Sequence, residues 1–124
     1  VKPEEMGIFV RSANEVDRAI KACSFCNSPF QMLDSTIETI QGKVTISTMH
    51  LAKGLEFKAV VVMACDDEII PSLERIEQVA DDTDLDEVYN TERHLLYVAC
   101  TRARDYLFVT GVAPASEFVA DLII

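Results

Sequence analysis

The sequence predicts a layered α/β domain with a mostly parallel sheet, on three observations. Val44-Thr-Ile-Ser-Thr48 alternates in β-branched residues, the pattern of a strand. Lys58 to Cys65 holds the continuous apolar run A-V-V-V-M-A-C, which suits a central parallel strand covered on both faces. Apolar residues elsewhere recur at helical spacing, as in Val16, Ala19, Ile20 and Cys23. Strands alternating with helices give helices packed on a parallel sheet.

Met6 to Val10 is a short apolar strand. Ser12-Ala-Asn-Glu15 has the spacing of a capping box and should start a helix running to about Phe25. Asn27-Ser-Pro29 ends that helix, and Phe30 to Leu33 is a second strand. Asp34 to Lys43 is polar apart from Ile37 and Ile40 and predicts a loop or hairpin-like excursion. Met49 to Phe57 is a loop or a single helical turn, and Ser72 to Ala80 a short helix. Asp81 to Asp86 is expected as an acidic surface loop. A long helix should then reach about Arg104, followed by a strand from Tyr106 to Val112. Pro114 and Ser116 should open a terminal helix carrying Phe118, Val119, Leu122 and Ile123.

With 124 residues, nearly half of them apolar, the chain is one domain or a piece of one. Position 1 is not Met, which suggests a fragment of a longer protein. No run is long enough for a transmembrane helix, and the start has no apolar signal-peptide core, so a cytoplasmic protein is expected. The net charge is −10, an awkward value for a nucleic-acid binder. Its distribution matters more: Asp66 to Glu87 holds ten carboxylates and one base, Arg75. The acidity is local, so basic patches elsewhere remain available. Cys23 and Cys26 form a C-x-x-C with no second ligand pair at zinc spacing, so no metal site is expected and the four cysteines should be free thiols.

Neither a phosphate-binding loop nor a dinucleotide fingerprint occurs, so the chain has no nest of its own for nucleotide phosphates. The richest polar cluster is T-M-H-L-A-K-G-L-E, Thr48 to Glu56, just past a strand. Lys53 could hold a phosphate there and Glu56 a ribose hydroxyl; a solvated connection with a glycine turn at Gly54 is the alternative. Leu95, Val98, Ala99 and Arg102 share one helical face, an apolar stripe that ends in a guanidinium. Either an anion meets Arg102, or the side chain serves the carboxyl end of the helix.

The residues I-S-T-M-H-L-A-K-G-L-E-F-K-A-V-V-V, Ile46 to Val62, resemble motif V of the UvrD/Rep group of superfamily 1 DNA helicases. E-R-H-L-L-Y-V-A-C-T-R-A-R-D-Y-L, Glu92 to Leu107, resembles their motif VI, and the acidic loop D-D-E-I-I-P stands between them as in the family. Gly7 to Ala19 is more weakly similar to the strand–helix segment before the family's large insertion.

The resemblance implies a partial RecA-like fold of the P-loop NTPase type, three-layered, with residues 1–124 forming most of the second motor domain. It implies an ATP-dependent DNA helicase or translocase of 3′-to-5′ polarity. ATP and Mg2+ would be held by an N-terminal RecA-like domain of the same protein, and the isolated chain would be inactive. Arg102 would be an arginine finger, with Glu56 on the ribose and Gly54 and Lys53 shaping the nucleotide-side motif. Thr48 and His50 would face or couple the single-stranded or duplex DNA, and Arg11 would lie near the strand. Glu92 and Tyr97 would support the motif VI helix.

Several features depart from the family pattern. Arg93-His94 replaces a frequent pair of arginines, and Val10-Arg11-Ser12-Ala13 replaces Tyr-Arg-Thr-Asn. About ten residues, Asp34 to Lys43, stand where the family carries its large insertion. Two other readings are a helicase-derived interaction module whose acidic segment docks a basic partner, and a piece of a helicase–nuclease. A sheet lacking its upstream strands should also self-associate.

Overall fold

A computed structural model describes residues 2–32, 41–66, 69–112, 114 and 116–120. The strands are β1 (Met6–Val10), β2 (Phe30–Met32), β3 (Val44–Thr48), β4 (Phe57–Val62) and β5 (Ala103–Val109). The helices are α1 (Val16–Phe25), α2 (Leu73–Glu77), α3 (Asp82–Cys100) and α4 (Glu117–Ala120). The strands form one sheet in the order β2-β3-β1-β4-β5, and every pairing is parallel.

Side chains alternate along β1 and divide the core into two. Phe9 points to one face, where Phe57, Val60 and Val62 of β4 meet Leu96, Ala99 and Cys100 of α3 and Phe118 of α4. Ile8 and Val10 point to the other, with Val44 and Ile46 of β3 and Ala19 and Cys23 of α1. A register shift between Phe57 and Ala59 lets Phe57 and Val60 share the first face. The result is three layers: α3 with α4, the sheet, and α1. The expected α/β class and parallel sheet are present. Among the described residues no helix is long and apolar enough to cross a membrane.

The structure corrects several local expectations. Asp81 to Asp86 is not a loop: Asp81 is the N-cap of α3, its side chain accepting from the Asp84 N–H at 2.9 Å. Carboxylates in a first helical turn complement the exposed N–H groups and the macrodipole, so acidity here starts a helix. The helix stops at Cys100, short of Arg104, and β5 begins at Ala103 rather than Tyr106. The Phe57 N–H donates to the Arg102 carbonyl at 2.8 Å, so sheet pairing begins where the helix ends.

The apolar run to Cys65 is strand only to Val62; Ala64 takes a left-handed φ of 62°. The middle of the sheet is β1, with β4 beside it. Ser12 makes no side-chain cap; Ala13–Glu15 is a 3-10 turn, and α1 starts at Val16 without the capping box. The apolar stripe expected on α3 is also out of phase. Its buried residues are Glu92, Leu96, Ala99 and Cys100, while Leu95 and Val98 pack at the margin and Arg102 lies beyond the helix. The segment after β2 is described only from Gln41 to Lys43, and Leu122 and Ile123 lie outside the described residues.

Candidate nucleotide and nucleic-acid interface

The polar cluster from Thr48 to Glu56 is drawn out across the sheet. Thr48 ends β3 level with Val10, at the carboxyl end of the strands. Glu56 immediately precedes β4, at the amino end. The strands are parallel, so seven residue steps of about 3.3 Å separate the two, roughly 20 Å along the strand direction. The crossover passes through a 3-10 turn at Met49–Leu51, anchored by buried Met49, Ala52 and Leu55. Gly54 turns the chain with φ at 85°, where an L side chain is strained. Lys53, Gly54 and Glu56 are exposed.

At the amino end Glu56 and Arg102 are neighbours, since Arg102 accepts the backbone bond of the residue after Glu56. The Arg102 guanidinium is part-exposed. Its Nε donates to the Val98 carbonyl at 3.1 Å and its Nη2 to the Thr101 hydroxyl at 3.2 Å. Both acceptors are neutral, so the cation sits over the last turn of α3 with no carboxylate on it among the described residues. Tyr97 is 47% exposed on the same turn.

The carboxyl end is built differently. Arg11 follows β1 and is 6% exposed; Glu92 of α3 is 1% exposed. Arg11 Nε donates to Glu92 Oε1 at 2.8 Å and Nη2 to Oε2 at 2.6 Å. Arg11 Nη1 meets His50 Nε2 at 3.0 Å. Glu92 takes two more bonds, from the Ser72 N–H at 2.6 Å and from Arg75 Nη1 at 2.9 Å. Burial would raise the Glu92 pKa, but the Arg11 hydrogen bonds, the Ser72 N–H and both guanidinium charges outweigh it. The carboxyl group is held below its ordinary value and stays ionised. A cleft of about 370 Å³ opens beside this cluster, lined in part by Arg11, Asn14, Ser72, Arg75 and Gln78.

Asp66 also lies past the sheet's carboxyl end, but it is engaged internally. Arg18 Nη1 donates to it at 2.6 Å and the Val112 N–H at 2.5 Å. Burial is again outweighed by these donors, and its pKa falls. None of the four cysteines forms a disulfide; burial pushes the Cys65 thiol up to about 12 and Cys100 to about 11.

The structure thus brings together Arg11 and His50 with Thr48 at one end of the sheet, and Glu56 with Arg102 at the other. Sequence reasoning missed Arg75 and Ser72 altogether, and it gave Glu92 only a supporting part. A signal for Glu92 existed, because it shares the face of Leu96 and Ala99 at i+4 and i+7. A carboxylate on an apolar stripe needs buried donors.

The profile of the family described as UvrD-like helicase C-terminal domain matches residues 9–113. The chain belongs to this family. It is 41% identical over 78 residues, 63% of its length, to the ATP-dependent DNA helicase PcrA of Staphylococcus epidermidis. It is 40% identical over 85 residues, 68% of its length, to the ATP-dependent DNA helicase UvrD1 of Mycobacterium leprae. In both cases the match spans 10% of the relative. Among solved structures, it superposes with a TM-score of 0.63 and 26% identity on the C-terminal domain of a possible DNA helicase from Lactobacillus plantarum WCFS1. That match covers 94% of this chain and 61% of the other.

Proposed function

We propose that residues 1–124 form most of the second motor domain of an ATP-dependent DNA helicase or translocase, moving 3′ to 5′ and working in the cytoplasm. One observation carries this reading. The helicase-like motifs V and VI meet at the amino end of the sheet, where the backbone pairs the residue after Glu56 with Arg102, and the Arg102 guanidinium makes no ion pair among the described residues. Such a cation suits phosphoryl oxygens brought by another domain.

In this reading Arg102 stabilises charge developing on the γ-phosphoryl group, while Glu56 contacts the ribose. Lys53 and Gly54 shape the turn that presents Glu56. The N-terminal RecA-like domain holds ATP with Mg2+, which supplies charge neutralisation at the phosphates. Thr48 and His50 face the DNA strand at the opposite end, and buried Arg11 acts on it through His50. The motif V crossover joins the two ends, so closure on nucleotide moves the DNA-facing residues.

We also propose that the isolated chain self-associates through β5. Its outer edge has no partner strand among the described residues, and Tyr106, Leu107 and Phe108 are exposed there.

ATPase measurement tests the shared site. The 124-residue chain alone should neither hydrolyse ATP nor bind it tightly, with or without single-stranded DNA. DNA-stimulated turnover by this chain would overturn the proposal.

A further inference from the structure

Arg11 constrains His50 by elementary hydrogen-bond chemistry. A guanidinium only donates and keeps its proton at any ordinary pH. The 3.0 Å contact from Arg11 Nη1 therefore requires a lone pair on His50 Nε2. The ring must then be neutral with its proton on Nδ1. A doubly protonated ring would set N–H against N–H and cation against cation. This is not the form preferred by a free imidazole in water, where the proton favours Nε2.

The direction of Nη1 is itself set by Glu92. Both carboxylate oxygens engage Nε and Nη2, and this two-bond fork fixes the guanidinium plane. Glu92 is held in turn by the Ser72 N–H and Arg75. The chain of constraint runs from α3 through Arg11 to the exposed ring of His50. We infer that Glu92 is a positioning residue for His50, holding it through Arg11 in the Nδ1–H tautomer so that the ring offers one defined donor to an oxygen acceptor on the nucleic-acid strand. The acceptor's identity rests on the helicase reading; the tautomer rests on the geometry alone.

The arrangement also relates the two ends of the sheet. Glu92 and Arg102 are ten residues apart on and just past α3, about 15 Å at the helical rise. A rigid helix thus carries the residue that orients the DNA-side imidazole and the cation of the nucleotide side.

Imidazole nitrogen spectra of the 15N-labelled chain test the tautomer without DNA or ATP. The chain has two histidines, so a His94→Gln variant assigns the signals. At a pH well above the ordinary imidazole value of about 6.5, His50 should show a protonated Nδ1 and an unprotonated Nε2. An Nε2–H ring in the unaltered chain overturns the inference. In Glu92→Gln the single amide oxygen cannot hold the fork, and His50 should shift towards Nε2–H; an unchanged tautomer in that folded variant overturns the part assigned to Glu92. Glu92→Asp serves the same reading if the glutamine variant does not fold, with partial retention of the Nδ1–H form expected.

A double-mutant cycle in the full-length parent tests the consequence. Glu92→Gln should weaken single-strand binding about tenfold, the order of one charge-assisted hydrogen bond, but add nothing in a His50→Ala background. Additive losses overturn positioning through His50. A confirmed tautomer with no DNA effect of His50→Ala would instead count against the helicase role given to His50.

Discussion

Arg11 and Glu92 lie 81 residues apart in sequence and form a two-bond ion pair, with side chains 8% and 0% exposed. The pair joins the end of the middle strand to the motif VI helix. Removing two ions from water costs nearly what their attraction returns, so the pair as a whole adds little net stability. Removing one partner is another matter, since it leaves a buried charge alone.

Glu92→Ala should therefore lower unfolding free energy by about 3–5 kcal/mol. Arg75→Ala, whose side chain is 37% exposed, should cost no more than about 1 kcal/mol. Urea unfolding of both variants checks the contrast. Equal, small losses would show that Glu92 is effectively solvated.

The pH dependence has a definite sign. Glu92 and Asp66 both have folded pKa values below their ordinary ones. Their stabilisation is fully present above the unfolded values, about 4.3 for Glu and about 3.9 for Asp. It is lost as pH falls through the depressed folded values. The contribution of these two carboxylates should be constant from neutrality to about pH 5 and then fall. Glu92→Gln should flatten part of that acid limb, and an unchanged slope would remove Glu92 from the account.

Arg102→Ala in the full-length parent separates two roles. As an arginine finger it should leave ATP affinity within a few-fold while turnover falls about a thousandfold or more. Its hydrogen bond to Val98 at the end of α3 gives it a modest structural part as well, worth about 0.3–1 kcal/mol. Parallel loss of affinity and turnover would favour the structural role.

The edge of β5, without a partner strand among the described residues, predicts concentration-dependent sedimentation of this chain. Phe108→Lys places a charge on an exposed position of that edge and should restore the monomer. A strict monomer of the unaltered chain at high concentration would defeat the proposal.

Much of the fold was legible because local pattern carries it. β-Branched alternation marked Val44–Thr48, and helical spacing marked Val16–Phe25. The acidic run was misread because solvated loops and helix starts share a composition. Only the bond from the Asp84 N–H to Asp81 distinguishes them. The motif VI stripe was displaced because Leu95 and Leu96 fit a helical face equally well in sequence.

The sequence by itself determined the layered α/β class, the run of strands and helices, and the ordered motifs that resemble the helicase family. Tertiary structure decided which residues share a site. Parallel strands force the connection after Thr48 back across the sheet, so one continuous stretch reaches both of its ends. The sheet order then sets β1 between β3 and β4. That placement brings Arg11, His50 and Glu92 together from three distant segments. No spacing along the chain encodes such a meeting, because it depends on strand order and crossover rather than on local periodicity.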